Sequence, residues 1–169
     1  MSSSAGAARM PATDSAVLGR MAGKVFIFPL RVYYEDTDAA GIVYYANYLK
    51  FIERARTEMM RAAGIEHGAL KEGDGMVFAV RRCEVDFLKP ARLDDPLEIH
   101  TGNLQFEAAG LWADQKVRRG KDDLARLKIR LACVGPAGRP VRLPKTCCRA
   151  LNRFAASATS DTANTAERE

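Results

Sequence analysis

The sequence predicts an α+β domain in which one long helix is wrapped by a curved antiparallel β-sheet. Apolar residues recur at helical spacing in one long segment, residues 48–63. Most of the chain after it is rich in β-branched and aromatic residues and is broken by tight-turn residues. Because one helix cannot cover both faces of a large sheet, a sheet curved around that helix is the most economical arrangement.

The helix is predicted from its apolar stripe and from residues at its two ends. The stripe consists of Tyr48, Phe51/Ile52, Ala55, Met59 and Ala63. Asn47 is expected to cap the beginning of the helix through its side chain. Gly64 is expected to end the helix in the left-handed conformation that glycine adopts easily.

Strands are predicted over residues 25–34, 77–88, 96–106, 111–118 and 125–133, with a last short strand within 141–154. Residues 65–75 are expected to be a polar linker with an extra helical turn. In the segment 77–88, one apolar face is interrupted only by Arg81. That face would consist of Val77, Ala79, Cys83, Val85 and Phe87.

One domain is expected, spanning residues 25–154 of the 169. The flanking residues 1–24 and 155–169 are rich in Ser, Ala and Thr and are predicted to be disordered. The sequence shows neither a signal-peptide pattern nor an apolar run of membrane-spanning length, so a cytoplasmic protein is predicted. The net charge of +5 is compatible with nucleic acid, an anionic membrane surface or a phosphorylated small molecule as partner.

Several kinds of reaction centre are disfavoured by residue placement. Every serine lies at position 15 or earlier or at position 157 or later, so a serine nucleophile falls outside the predicted domain. The two histidines, His67 and His100, and the four cysteines lack metal-ligand spacing. No metal site is predicted, and carboxylates remain as candidate reactive groups.

The acidic turn before the helix is the strongest candidate for a site. Glu35, Asp36 and Asp38 precede Gly41 and the predicted helix start. A carboxylate next to the free N–H groups of a helix N-terminus suits attack on a carbonyl group, directly or through water. The alternative is that these residues only form a turn and cap the helix. Spacing alone leaves both interpretations open.

Three segments of the sequence resemble those of a known protein family. The segment EDTDAAGIVYYANYLKFIERARTE resembles the signature of the 4-hydroxybenzoyl-CoA thioesterase family of hotdog-fold proteins. It is most similar to that of the bacterial acyl-CoA thioesterases associated with the Tol-Pal system. The similarity continues through FAVRRCEVDFLKPARLDDPLEIHT and ACVGPAGRPVRLPK and covers roughly residues 30–150. It implies a hotdog fold and a homodimer or homotetramer, an assembly that unpaired sheet edges also favour.

The resemblance implies roles for individual residues. Asp38 takes the position of the family's catalytic carboxylate, and Tyr45 takes that of the backbone N–H that polarises the substrate carbonyl. Tyr34 takes the position of a tyrosine that lines the site in some relatives, and Gly41 would permit the turn and the approach of substrate. The Tol-Pal-associated subgroup commonly has histidine where this chain has Tyr45.

The implied activity is hydrolysis of an acyl-CoA thioester, with Asp38 acting as nucleophile or as general base. Coenzyme A would be part of the substrate, and no other cofactor is expected. Arg81, Arg82, Lys89 and Arg92 are candidates for binding its phosphates, and Lys145 is a weaker one.

The alternative function is a non-catalytic one, in which the fold serves as a partner of an acyl carrier protein or of the phospholipid pathway. Nucleic-acid binding is disfavoured because no aromatic residues are interleaved with the basic residues of 125–133.

Overall fold

The computed structural model describes residues 18–73 and 75–161. Its elements, in chain order, are β1 (Arg20–Ala22), β2 (Val25–Arg31), a 3-10 turn (Tyr34–Asp36), α1 (Asn47–Ala62), α2 (His67–Gly73), β3 (Val77–Phe87), β4 (Pro96–Glu107), β5 (Gly110–Arg119), β6 (Asp122–Val134) and α3 (Lys145–Asp161). The predicted α+β class is confirmed. The predicted helical turn in the linker after α1 is also confirmed, since it forms α2.

The strands form a six-stranded antiparallel sheet in the order β1-β2-β4-β5-β6-β3. Residues on one face pair in rows that run across the sheet. One such row is Phe28, Ile99, Val117, Ala125 and Phe87. All of these except Phe87 are buried. This row belongs to the face that α1 covers.

Helix α1 packs on the sheet through the predicted apolar stripe. Phe51, Ile52 and Ala55 are at most 1% exposed, and Tyr48 and Met59 are also buried. Each large apolar side chain buried in this way contributes about 2 kcal/mol to folding. The helix is therefore held by its packing on the sheet, and its position fixes where its N-terminus lies.

The predicted capping of α1 is wrong at its N-terminus and confirmed at its C-terminus. The predicted role of Asn47 as a cap is wrong, because the N-cap position is Ala46 and the Asn47 side chain bonds elsewhere. The C-terminal prediction is confirmed, since Gly64 has φ of +78°. Gly64 N–H donates to Arg61 O and Ile65 N–H donates to Met60 O, both at 2.9 Å. These two bonds form the Schellman motif.

A buried polar network joins α1 to the sheet beneath it. Arg56 Nη1 donates to Gln115 Oε1 at 2.7 Å, and Gln115 Nε2 donates to Ile52 O at 3.0 Å and to Thr101 Oγ1 at 2.9 Å. Arg56 also forms an ion pair with Glu53 one turn earlier. Burial lowers the pKa of Arg56, and the charge of Glu53 opposes that effect. The network fixes the middle of the helix above β4 and β5.

The predicted face of β3 is wrong over its first part. A β-bulge shifts the register, so that Val80 pairs with Leu131 and Arg82 pairs with Arg130. The extra residue, Arg81, reverses the alternation. As a result, Phe78 and Val80, rather than Val77 and Ala79, share a face with the later apolar residues of β3. Arg81 therefore does not interrupt an apolar face.

The ends of the domain also differ from the prediction. The predicted disorder of residues 1–24 is wrong for Arg20–Ala22, because these residues pair with β2. Residues 1–17 lie outside the described part. The short strand expected within 141–154 is wrong, because residues 145–154 form the first part of α3. Since α3 continues to Asp161, the predicted disorder of 155–169 is wrong for residues 155–161, whereas residues 162–169 lie outside the described part. Residues Cys147 and Leu151 of α3 are buried, and the Phe154 ring lies 6.0 Å from that of Phe26. None of the described helices has the length and apolar character needed to cross a membrane.

Candidate active site

The acidic turn forms a tight hairpin that leads into α1. Thr37 pairs with Val43 across it. Asp38 N–H donates to Ile42 O, and Gly41 N–H donates to Asp38 O, both at 2.9 Å. Gly41 has φ of +70°, a conformation that a side chain would strain. The hairpin therefore places residue 38 opposite Ile42, a few residues before α1 begins.

The Asp38 carboxylate lies exposed at the tip of this hairpin. Its Oδ1 accepts a hydrogen bond from Ala40 N–H at 2.9 Å, which orients the side chain. No lysine or arginine in the described ranges forms an ion pair with it. The second oxygen is therefore available to a substrate or a water molecule.

The beginning of α1 presents a backbone donor next to this hairpin. Asn47 N–H bonds to Tyr44 O at 2.8 Å and Tyr48 N–H bonds to Tyr45 O at 3.3 Å, so the first turn is already wound. The N–H of Tyr45 comes before these bonds and has no acceptor within the described chain. The helix dipole adds partial positive charge there. An oxygen that develops negative charge would be stabilised at this point.

Asp36 and Asn47 hold the hairpin against the helix, and the sequence did not assign this role to either residue. Asp36 O accepts hydrogen bonds from Tyr44 N–H and from Asn47 Nδ2, each at 2.9 Å. The Asp36 carboxylate, 3% exposed, accepts from Tyr33 N–H at 2.9 Å. The Asn47 side chain therefore bonds to a residue 11 positions earlier in the chain and does not cap a helix N–H.

A second contact ties the helix to the segment after β3. The Tyr48 hydroxyl accepts a hydrogen bond from Ala91 N–H, and Ala91 O accepts one from Val43 N–H, both at 2.9 Å. Burial raises the pKa of Tyr48. These bonds fix the wall of the cleft beside Tyr45.

That cleft is an apolar pocket of about 300 Å³. It is lined by Ile42, Val43, Tyr45, Tyr48, Phe87, Leu88, Lys89 and Pro90. The Phe87 ring lies edge-on to those of Tyr45 and Tyr48, with centroids 6.3 Å and 5.5 Å away. The pocket therefore suits an apolar group placed next to the Tyr45 N–H.

Two neighbouring tyrosines, of which Tyr45 lines the pocket, have their rings in contact. The rings of Tyr44 and Tyr45 have centroids 4.7 Å apart. The hydrogen bond and charge of Tyr45 raise the pKa of Tyr44, and desolvation and the charge of Asp38 raise it further.

Comparisons with known proteins identify the family of this chain. A model of the Thioesterase-like superfamily matches residues 32–151. The chain belongs to this superfamily. It is 40% identical over 121 residues to the acyl-CoA thioesterase YbgC of Haemophilus influenzae, an alignment that covers 71% of this chain and 89% of that protein. It is 41% identical over 124 residues to the acyl-CoA thioester hydrolase YbgC of Escherichia coli O6:H1, covering 72% and 92%.

Solved structures support the same assignment. The crystal structure of a probable thioesterase from Bartonella henselae matches with a TM-score of 0.68 and 36% identity, covering 71% of this chain and 99% of that one. The predicted family and hotdog fold are confirmed, and so is the predicted enzyme class, a thioester hydrolase.

Within this thioesterase, the predicted site residues fall into two groups. Asp38, Gly41 and Tyr45 meet at the hairpin and the helix start. Lys89 lines the pocket beside Tyr45, and its Nζ lies 2.7 Å from Asp122 Oδ1. Arg92 pairs through its backbone with Ile42 of the hairpin. Of these residues, Tyr45 and Lys89 line the pocket, whereas Asp38, Gly41 and Arg92 are not among its lining residues.

The other predicted residues are not brought to the pocket within one chain. The Tyr34 side chain is 82% exposed and is absent from the pocket lining, because the 3-10 turn directs it to the surface. Arg82 forms an ion pair with Glu84. Arg81 lies at the bulge, six residues before Phe87, which in a strand corresponds to about 20 Å. Its charge instead contributes to the lowered pKa of Glu107, after the larger effect of Arg130.

The described residues contain no group of three or more His, Cys, Asp or Glu side chains arranged to hold a metal ion.

Proposed function

We propose that this thioesterase hydrolyses acyl-CoA thioesters to a carboxylic acid and coenzyme A. The observation that supports the proposal is the hairpin in which Asp38 bonds to Ile42, three residues before Tyr45, whose N–H has no acceptor in the described chain. The names of the YbgC relatives support the same substrate class.

The reaction needs an attack on the thioester carbonyl and loss of the thiolate. The Tyr45 N–H holds the carbonyl oxygen while negative charge develops on it. Asp38 either adds to the carbonyl carbon, giving an anhydride that water then cleaves, or takes a proton from the attacking water. In both routes the C–S bond breaks, and the coenzyme A thiolate leaves and takes up a proton.

The pocket and its basic neighbours supply binding. The acyl group lies in the apolar pocket against Phe87 and Tyr48. Lys89 and Arg92 bind coenzyme A phosphates at the opening, with Lys89 exchanging its ion pair with Asp122 for the phosphate. Arg81, Arg82 and Tyr34 are not used within the same chain.

Thiol release from a panel of acyl-CoAs tests the proposal. The panel contains short aliphatic, long aliphatic and aromatic thioesters. We expect turnover of at least one class, and the ratios of kcat/KM report the fit of the acyl group to the pocket. If no member is hydrolysed while an acyl carrier protein binds tightly, the non-catalytic function is the correct one.

We further propose that the active form is a homo-oligomer in which β3 meets a second copy. Strand β3 is an edge strand, and among its apolar residues Val80 and Phe87 are each 51% exposed. On the neighbouring helix, Leu49 is 42% exposed. A long apolar edge of this kind is expected to be covered in solution. Sedimentation at micromolar concentration is expected to give a dimer or tetramer, and a monomer would contradict this.

A further inference from the structure

The net charge of the chain is concentrated in one short segment. Residues 139–160 contain Arg139, Arg142, Lys145, Arg149 and Arg153 and no acidic residue. The rest of the chain carries equal numbers of basic and acidic residues, so this segment accounts for the whole formal charge of +5. Such segregation produces a local positive potential even though most of the surface is balanced.

Helix α3 directs this charge to one side. Lys145, Arg149 and Arg153 follow one another at a spacing of four residues and are exposed. With Thr146 and Asn152 they occupy an arc of about 120° on the helix. The opposite side carries Cys147, Leu151 and Phe154, which pack on the domain. Over residues 145–154, whose side chains the structure describes, the apolar side is covered and the basic side is available to a partner.

The cations of this surface have no acidic partner within the described part of the chain. None of the five forms an ion pair with a residue in the described ranges. Basic residues on the sheet behave differently: Arg118 and Arg126 both bond to Asp123, and Arg130 bonds to Glu107. The α3 cations therefore retain their full capacity to bind an anion.

A shallow cavity of about 450 Å³ lies on the basic side, lined by Thr146, Arg149, Asn152 and Arg153. Two guanidinium groups one turn apart, flanked by a hydroxyl and an amide, are suited to phosphate oxygens. The cavity therefore matches the phosphodiester of a headgroup in both charge and hydrogen-bonding capacity.

Two other kinds of partner fit less well. The buried core of a protein interface is usually apolar, and among the described residues 139–154 the one exposed large apolar side chain is Val141, at 36%. Single-stranded nucleic acid needs exposed aromatic side chains for stacking, and the one aromatic residue of the basic segment, Phe154, packs against Phe26.

We propose that the basic side of α3, with Arg139 and Arg142, docks this thioesterase on an anionic phospholipid surface, with a headgroup phosphate in the Arg149–Arg153 cavity. Binding is electrostatic and reversible, because the apolar side of α3 over residues 145–154 packs on the domain and cannot insert. This surface does not depend on the reaction proposed above.

Co-sedimentation of the full chain with vesicles tests the proposal. One set of vesicles is phosphatidylcholine alone, and the other is phosphatidylcholine mixed with an equal part of phosphatidylglycerol. We expect binding only to the second set, weakening steeply as salt is raised. The double variant R149Q/R153Q should bind about thirtyfold more weakly, since each basic residue near an anionic surface contributes about a factor of five.

The matched control removes the same charge elsewhere. The double variant K71Q/K121Q changes two exposed lysines on α2 and on the β5–β6 turn. It should bind like the unmodified protein. The proposal is overturned if the protein ignores anionic vesicles, if both double variants weaken binding equally, or if a DNA duplex is bound through Arg149 and Arg153 while vesicles are not.

Discussion

Asp38→Asn is expected to lower kcat for acyl-CoA hydrolysis about a thousandfold or more, with little change in stability. Asparagine keeps the size of the side chain, and its Oδ1 can still accept the hydrogen bond from Ala40 N–H. It has neither the charge nor the basicity that attack on a carbonyl or deprotonation of water requires. Because Asp38 is exposed and lacks an ion pair in the described chain, the free energy of unfolding should change by less than about 0.5 kcal/mol.

The matched control for this variant is Glu35→Gln, which removes an exposed carboxylate from the same turn. It should retain kcat within a factor of about two, since a surface charge outside the site has little effect on the chemical step. The measurement is thiol release under saturating substrate, with urea unfolding run in parallel. A fully active Asp38→Asn variant would remove Asp38 from the mechanism.

Among substitutions that keep the side-chain volume about the same, Gln115→Leu is expected to lower the free energy of unfolding the most. Gln115 is 1% exposed and is the partner of a guanidinium, Arg56, that is itself buried. Leucine would leave Arg56 Nη1, Ile52 O and Thr101 Oγ1 each without the partner that Gln115 supplies. The cost is about 3 kcal/mol, because a buried charge and buried polar atoms lose hydrogen bonds.

The measurement is the urea midpoint, with Gln105→Leu as control. Gln105 is an exposed residue of β4, so its replacement should change stability by less than about 0.5 kcal/mol. A second variant, Gln115→Glu, keeps an acceptor for Arg56 but cannot donate to Ile52 O, so its loss should be smaller. Equal midpoints for Gln115→Leu and the unmodified chain would show that the network does not hold the helix.

The parts of the fold that were predicted correctly depend on local patterns. The stripe from Tyr48 to Met59 and the alternation in β6 are set by which side chains face the core, and Gly64 ends α1 because of its own backbone freedom. Helix α3 was missed, although Pro144 just before it and the spacing of Cys147, Leu151 and Phe154 are signals of a helix start and an apolar side.

The parts that were not predicted depend on distant partners. Asn47 has the sequence position of a cap, but its amide bonds to Asp36 O across the hairpin, and spacing alone does not reveal that contact. The bulge at Arg81 inverts β3 because of its pairing with β6, which is also invisible locally. In the site, the resemblance to a known family indicated Asp38 and Tyr45. The hydrogen bonds of Asp36, Asn47 and Tyr48 that hold the hairpin and the helix together join residues far apart in the sequence, so no local pattern predicts them.

The most direct test of the proposed site is the structure of the chain with an acyl-CoA analogue whose thioester sulfur is replaced by a methylene group. Such a ketone keeps the carbonyl and cannot lose a thiolate. We expect its carbonyl oxygen about 3 Å from Tyr45 N and a carboxylate oxygen of Asp38 facing the carbonyl carbon. The acyl group should fill the pocket beside Phe87. A carbonyl bound away from the N-terminus of α1, with Asp38 facing solvent, would contradict the proposed site.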